Sequence, residues 1–281
     1  MDEEIIWVDL LGVTLAGAKE PDAGLIWSNL EGWWGLPDVR GTADSIPGGH
    51  GRFPRSKVLR DSRVITLTGH IYTGSNAELH AVRDRLEAAL AAGAGPMRVS
   101  TVGGIWERWV EIDTLKIDPD RGRKWTRFIV DMVAPDPRRY GPQQRLGPVG
   151  LPVIEGGLRL PKRTPWNTGR TSEAARLLVP NPGAIALNPV ITVSGGFDAV
   201  TVRDITDGRR LRLEWPIPDG EFVTLDSRIR RAQMGAAELT RWMTARQWFA
   251  IPAGETHEFR FDVEGRAGDP KMWADYRIGA M

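Results

Sequence analysis

Glu107 and Glu111 come nearest, by residue type and spacing, to a catalytic pair in this chain. Residues four apart in a strand lie on the same face, and paired carboxylates serve as acid and base or nucleophile in glycoside hydrolysis. With the neighbouring Asp113, the two glutamates would form a hydrolase site. The alternative is an exposed strand face that carries charge, and the sequence favours this alternative.

Metal-binding chemistry is not indicated by the four histidines, which are His50, His70, His80 and His257. None belongs to a His-x-His or HExxH pattern or accompanies a cluster of carboxylates, so we predict no metal site. Asp118 and Asp120 resemble the start of a calcium loop. The cations that follow, Arg121, Arg123 and Lys124, would repel the ion, which argues against calcium.

Other catalytic signatures are missing from the sequence of 281 residues. The absence of cysteine excludes disulfides, thiolate ligands and cysteine nucleophiles. The glycines around His50 lack the context of a phosphate-binding loop, and no Gly-x-Ser-x-Gly motif occurs. We therefore predict that the protein is not an enzyme, with no catalytic, cofactor-binding or metal-binding residues.

Charge and hydropathy exclude two classes of partner. Lys and Arg total 37 against 36 Asp and Glu, a net charge of +1, so no global field attracts nucleic acid or an anionic membrane. We predict no sequence-specific nucleic-acid binding. No apolar run approaches the roughly 18 residues that span a bilayer, and the acidic N-terminus is unlike a signal peptide. We expect a soluble protein, made in a cytoplasm, without membrane insertion.

Tryptophan is abundant, with twelve tryptophans against three tyrosines. Tryptophan combines a large apolar surface with one N–H donor, which suits β cores and interfaces. We expect most of these side chains to pack in the cores. Four in the second half are also candidate platforms for stacking on a sugar ring: Trp215, Trp242, Trp248 and Trp273.

The first half shows alternating strands around one helix. Arg63–Tyr72 alternates apolar and polar residues, as a half-buried strand does. Residues 75–92 form a helix that starts with a capping box, Ser75 to Glu78, and stops at Gly93. The phase of the apolar residues between 105 and 117 predicts a bulge near Asp113 and Thr114. A return strand spans 125–133, and the loop Arg40–Arg60 should be irregular and exposed.

The second half shows short strands at intervals near ten residues, which is typical of an antiparallel sandwich. The predicted strands cover 190–193, 199–205, 210–215, 221–225, 248–251, 257–263 and 273–278. Two similar Pro-x-Gly turns begin at Ile217 and Ile251. Repeated proline between 134 and 176 indicates a connector. We predict a first domain over 1–140, a Pro/Gly-rich arm or linker over 141–176, and a β-sandwich over 177–281.

The order of several short motifs resembles the distal tail proteins, or minor tail proteins, of phages with long flexible tails. In chain order these motifs are Gly35–Arg40, the loop Pro47–Gly51, the strand Val64–Gly69, the helix Glu78–Leu86, the ending Val133–Tyr140, Asn181–Gly183 before Pro189–Val193, and the two Pro-x-Gly turns. The lengthened segment 141–176 departs from the common pattern. The resemblance is to phages of actinobacteria in particular.

This resemblance implies a fold and an assembly. The first half would be a belt-type β domain with one helix that closes into a hexameric ring, and the second half a sandwich similar to galectins or carbohydrate-binding modules. The partners would be copies of the chain, the tail tube protein, the tail tip or baseplate hub and the tape-measure protein, at the distal end of the virion tail. A channel would remain for DNA. The alternative is a carbohydrate-binding protein that recognises a host surface glycan through the sandwich.

Overall fold

A computed structural model describes residues 5–17, 24–55, 58–119, 124–151, 154–155, 170–171 and 176–281. This part of the chain is mainly β with one α-helix, which confirms the fold class predicted from the sequence. The chain divides into two compact units, Met1–Pro142 with Ala280–Met281, and Gln143–Gly279. The acidic N-terminus, residues 120–123 and most of the proline-rich segment lie outside the described residues.

The first unit is a closed β-barrel of seven strands. Its strands are β1 (Ile5–Leu10), β2 (Val13–Ala16), β3 (Leu25–Glu31), β4 (Arg63–Tyr72), β5 (Ala94–Thr101), β6 (Gly104–Ile117) and β7 (Trp125–Ala134). They pair in the order β6-β5-β1-β2-β3-β4-β7, and β7 pairs back onto β6. Neighbours are antiparallel except β2 and β3, which meet in parallel at the single pair Ala16 and Ile26. The barrel is therefore joined least securely between β2 and β3.

Strand β4 has the predicted limits and the predicted faces. Ile65, Leu67 and Ile71 are buried, because alternate residues of a strand point to opposite faces. All ten residues of β4 pair with β7, from Arg63 opposite Ala134 to Tyr72 opposite Trp125. This long ladder forms one wall of the barrel.

A bulge in β6 falls where the apolar phase predicts it. The pairing of β6 with β7 shifts register between Ile112 and Thr114. The extra residue reverses the alternation, so Leu115 and Ile117 pack against the same core as Val110. The bulge thereby keeps apolar side chains on the barrel interior on both sides of it, from Val110 to Ile117.

The helix α1 spans Asn76–Leu90 and follows β4 directly. Ser75 is its N-cap, with Oγ accepting from the amide of Glu78 at 3.3 Å. The Glu78 carboxylate accepts from the Gly74 amide at 3.0 Å. In a standard capping box it would accept from the amide of the N-cap itself, which here is Ser75. Helix α1 buries Leu79, Leu86 and Leu90 in the barrel core. The helix ends at Leu90, two residues before the predicted limit.

No helix among the described residues is long and apolar enough to cross a membrane.

The second unit is an antiparallel sandwich. Its elements are the end of β8 (Arg139–Gly150), β9 (Ile154–Glu155), β10 (Arg170–Thr171), β11 (Leu177–Pro180), β12 (Val190–Ser194), β13 (Phe197–Asp204), β14 (Arg210–Ile217), β15 (Phe222–Asp226), β16 (Arg231–Met234), β17 (Ala237–Glu238), a 3-10 turn (Thr240–Trp242), β18 (Met243–Arg246), β19 (Thr256–Glu264) and β20 (Lys271–Ala280). One sheet has the order β17-β16-β15-β12-β20-β8, and the other β11-β19-β13-β14-β18. Side chains of both sheets share one buried core.

Both predicted Pro-x-Gly turns are present, and one predicted strand is wrong. Amides of Glu221 and Glu255 donate to the carbonyls of Pro218 and Pro252, closing both Pro-x-Gly turns. Residues 248–251 form only an isolated bridge through Ile251, because Pro252 has no N–H to extend a ladder. The start of the predicted arm is strand β8 instead. It is the edge strand of its sheet in this unit, the place where proline is tolerated.

Substituting Gly69 in β4 tests the packing of the barrel. A Cβ built there lies 2.6 Å from Cε1 of Phe128 and 2.8 Å from the Ile26 carbonyl oxygen. We expect Gly69→Ala to lower the free energy of unfolding by about 1–3 kcal/mol through overpacking. Gly150→Ala is the control, since no atom lies within 4 Å of its Cβ. Urea denaturation that gives equal stabilities for both variants would contradict this packing.

Candidate functional site

The two candidate catalytic glutamates lie on the outer face of the barrel. Glu107, Trp109 and Glu111 alternate on one side of β6, and Trp109 is 58% exposed between them. Glu107 is held in an ion pair with Arg98 on β5, at 2.9 Å. An exposed strand face with a tryptophan between two carboxylates has the form of a contact surface rather than of a cleft that surrounds a substrate.

Only two of the four candidate sugar-stacking tryptophans are in contact with each other. Trp215 and Trp242 stack on each other with ring centroids 4.9 Å apart, and Trp248 packs against the sandwich core. Trp273 contacts Phe222 instead, with ring centroids 6.5 Å apart. Trp215 also packs against the core, which bears out the expected core role for that residue and for Trp248.

A buried ion pair in the sandwich was not anticipated from the sequence. His257 on β19 is bonded through Nδ1 to Asp204 at 2.6 Å and through Nε2 to Glu255 at 3.2 Å. The His257 and Asp204 side chains are both buried. Asp207 lies close enough to complete a group of metal-ligand type. Both ring nitrogens face carboxylates, so a metal ion bound by the ring would have to displace one of these two hydrogen bonds.

The pKa of His257 reflects this arrangement. Burial alone lowers the pKa, but the hydrogen bonds to Asp204 and Glu255 and the charges of Asp204 and Asp207 outweigh burial and raise it. Folding therefore shifts the protonation equilibrium of His257 toward the imidazolium. No local motif reveals this pair, because 53 residues separate the two side chains.

The base of the long loop before β4 is held by one guanidinium. Arg63, the first residue of β4, donates through Nη1 to the carbonyls of Gly32 at 2.7 Å and Trp34 at 2.8 Å, and through Nη2 to that of Gly35 at 2.7 Å. Residues 32–35 immediately precede the loop and Arg63 immediately follows it. We call residues 36–62 the loop arm. Arg63 therefore fastens both ends of the loop arm together.

Two further arginines surround this clamp. Arg108 is almost fully buried, donates to the Trp33 carbonyl at 2.7 Å and lies 4.3 Å from the centre of the Trp33 ring. Arg139 lies over the rings of Trp34 and Trp106, at 4.5 and 4.8 Å. Burial, followed by the charges of Arg63 and Arg139, lowers the pKa of Arg108 to about 9, so the group stays cationic at neutral pH. Cation–π contacts and carbonyl acceptors stabilise these buried charges.

The loop arm is exposed and folds back on itself, as the sequence predicts for an irregular loop. Its two legs are joined by isolated bridges between Val39 and Arg60 and between Ser45 and Arg52. Its described residues contribute no side chain to the buried core. Four large apolar side chains of the arm are exposed: Leu36, Phe53, Val58 and Leu59. An arm with apolar side chains and no core of its own is suited to contact another molecule.

Exposed apolar side chains are concentrated on the barrel unit. Among the described residues, twelve of the seventeen exposed large hydrophobics belong to it, and five to the sandwich. The twelve are Ile6, Trp34, Leu36, Phe53, Val58, Leu59, Val64, Tyr72, Val102, Ile105, Trp109 and Trp125. At one end of β4 and β7, Tyr72 and Trp125 stack with ring centroids 6.3 Å apart.

The combination of barrel and sandwich is a fold seen in phage tail hubs and baseplates. The structure is similar over 98% of this chain and 99% of the other to SPP1 Dit (gp 19.1), described as a paradigm of the hub adsorption apparatus in phages that infect Gram-positive bacteria, with a TM-score of 0.65 and 10% identity. It is also similar to chains of the phage P2 baseplate in its activated conformation. The chain from the Ca form has a TM-score of 0.52 and 8% identity, with 96% of this chain and 93% of the other covered.

The P2 baseplate chain from the Sr form gives the same TM-score of 0.52 at 9% identity, with 96% of this chain and 97% of the other covered. No protein-family model and no curated protein sequence matches the chain. At identities this low the similarity defines the fold. It spans both units of the chain.

Replacing Arg63 by lysine tests the clamp. Lysine keeps the charge but lacks the planar fork that reaches several carbonyls at once. We expect Arg63→Lys to lower the free energy of unfolding by about 2–4 kcal/mol, because buried carbonyls lose their donors, and to speed proteolysis within the loop arm. Arg127→Lys, at an exposed position of β7, is the control. Equal denaturation midpoints and cleavage rates for the two variants would show that the clamp is dispensable.

Replacing His257 by glutamine tests the buried imidazolium. Its folded pKa is raised above the unfolded value, so its stabilisation is complete below the unfolded pKa, near 6.5, and is lost as pH rises through the folded pKa. We expect the stability gap between wild type and His257→Gln to be widest at acidic pH and to narrow toward alkaline pH. His50→Gln, at an exposed position, should show no such trend. A gap that widens as pH rises would contradict the assignment.

Proposed function

We propose that the protein is a structural component of a phage tail, a distal tail hub rather than an enzyme. In this proposal the barrel unit is the belt domain and closes with other copies into a hexameric ring. The ring joins the tail tube to the tip or baseplate and leaves a channel for DNA. The protein would reside at the distal end of the virion tail, with tube, baseplate-hub and tape-measure proteins as neighbours.

The observation that carries this proposal is the uneven distribution of exposed apolar side chains. A soluble monomer exposes single apolar residues, whereas concentrated ones mark an interface. The barrel unit exposes twelve large apolar side chains, against five on the sandwich unit of similar length. Assembly through the barrel would remove this surface from water, at about 25 cal/mol per Å² of apolar area.

The barrel also has strand edges that a second copy could pair with. Among the residues that the structure describes, β2 and β3 share one residue pair, and the rest of β3 is paired on its β4 side alone. An unpaired edge is a template for another strand. A head-to-tail contact that closes by rotation gives a ring, and pairing across such edges would add backbone hydrogen bonds to the interface.

The structural similarity supports the same proposal across the whole chain. SPP1 Dit is described as a hub of an adsorption apparatus, and it matches the barrel and sandwich together. The motif order in the sequence points independently to distal tail proteins, in an actinobacterial phage. The host, the number of subunits in the ring and the neighbouring proteins are proposed from the motif order in the sequence and not from the structural similarity.

Glycan binding by the sandwich is weakly supported. The outer face of its five-stranded sheet carries ion pairs, such as Arg212 with Glu264 at 2.8 Å and Arg203 with Asp262 at 3.6 Å. On the other sheet, Trp273 lies opposite Thr192, and Arg145 lies over its ring at 5.8 Å. A single tryptophan covered in part by Arg145 offers less area for stacking on a sugar ring than the four tryptophans considered from the sequence. Glycan recognition stays a prediction.

Light-scattering mass and negative-stain images of the same purified peak test the ring. Six copies of 31.1 kDa give about 190 kDa, in particles with a central hole. We expect Val64→Glu, on the barrel, to reduce assembly, because a buried charge opposes association. Leu178→Glu, at a similarly exposed position of the sandwich, is the matched control and should assemble normally. A monomer both alone and with purified tail tube protein would contradict the proposal.

A further inference from the structure

The loop arm carries cations without ionic partners. Its described arginines are Arg40, Arg52, Arg55 and Arg60. Arg55 and Arg60 donate to the carbonyls of Gly41 and Pro37 within the arm. None of the ion pairs found among the described residues involves the arm, although they are frequent elsewhere on the surface. The arm also carries Asp38, Asp44 and Asp61, but its described residues between Ser45 and Arg60 hold three of the arginines and no acid. With the exposed Phe53, Val58 and Leu59, this part of the arm is a basic and apolar surface.

The outer face of β6 has the opposite charge. Trp109 and Ile105 are exposed there, and Glu111 and Asp113 are exposed next to them without an ion-pair partner among the residues that the structure describes. Val64 lies on the same face, because Val64 and Glu111 both pair with Val133 of β7. We call this the β6 face. It combines carboxylates with large apolar side chains, one of them a tryptophan.

We infer that the loop arm of one copy docks on the β6 face of a second copy. Cations of the arm would meet Glu111 and Asp113, while apolar side chains of the arm would cover Trp109. The inference rests on the proposed ring and names the two surfaces that form its repeating contact. Because the two surfaces differ, the contact is heterologous, the kind that builds a ring when rotation closes it.

Charge complementarity within one chain is the reason to place a second copy here. Each copy carries one basic arm and one acidic face, so every copy offers both halves of the contact. Apolar area at Trp109 and Phe53 would supply most of the affinity, and tryptophan is a frequent centre of binding energy. The exposed charges would set orientation and association rate. The rigid base provided by Arg63 would hold the arm in a position to reach its neighbour.

Complementary charge reversals test this contact. The arm variant carries Arg40→Glu with Arg52→Glu, and the face variant carries Glu111→Arg with Asp113→Arg. Each change leaves the opposite surface intact. We expect each variant alone to need at least about tenfold more protein to assemble than wild type. When mixed, they should assemble again, since the intact arm meets the intact face and the reversed arm meets the reversed face. Arg241→Glu, in the sandwich, is the control.

The outcomes separate this inference from the proposed ring. Rings formed by both variants at the wild-type concentration would overturn the inference and leave the ring standing. If the wild type alone is monomeric, disulfide trapping between single-cysteine variants tests the contact. The native chain has no cysteine, so any disulfide must form between the introduced residues. A disulfide between Arg52→Cys and Glu111→Cys chains, in preference to either homodimer, would support the contact. If this disulfide does not form at high protein concentration, the inferred contact is overturned. Assembly of the wild type on purified tube protein then tests the ring separately. Circular dichroism checks that every variant is folded.

Discussion

The hydrogen bonds of the Arg63 guanidinium are the interaction on which the position of the loop arm depends. A buried cation requires hydrogen-bond acceptors, and Arg63 finds them in the carbonyls of residues 32–35. Those carbonyls belong to the turn that opens the loop arm, and Arg63 itself closes the arm. An excursion of 27 residues, 36–62, can therefore leave the barrel and return without a core of its own. Lysine, with a single compact ammonium, would not satisfy so many acceptors at once.

The two units differ in how their surfaces meet water. Exposed charges of the sandwich neutralise one another across neighbouring strands, as Arg212 does with Glu264. The barrel exposes large apolar side chains, and its arm carries cations without ionic partners among the described residues. Well-paired charge is typical of a solvated surface, whereas unpaired charge beside apolar area is typical of an interface. This contrast is the reason why the proposal places assembly on the barrel.

Features that depend on local periodicity could be predicted from the sequence. Strand β4, helix α1, the bulge in β6 and both Pro-x-Gly turns follow from residue spacing and turn chemistry alone. Pairing of β4 with β7, and the clamp at Arg63, could not, because they join segments far apart along the chain. The hydrogen-bonded pair of His257 and Asp204 could not be predicted for the same reason. Strands of two to four residues, such as β16 and β17, are too short to show a period.

Hydrogen–deuterium exchange of the assembled protein against its dilute monomer tests the central claim most directly. The claim is that the barrel unit carries the contacts between copies. It predicts that assembly slows exchange in the loop arm and along β6, while the outer strands of the sandwich exchange at unchanged rates. Protection confined to the sandwich, with the loop arm exchanging as fast in the assembly as in the monomer, would contradict the claim.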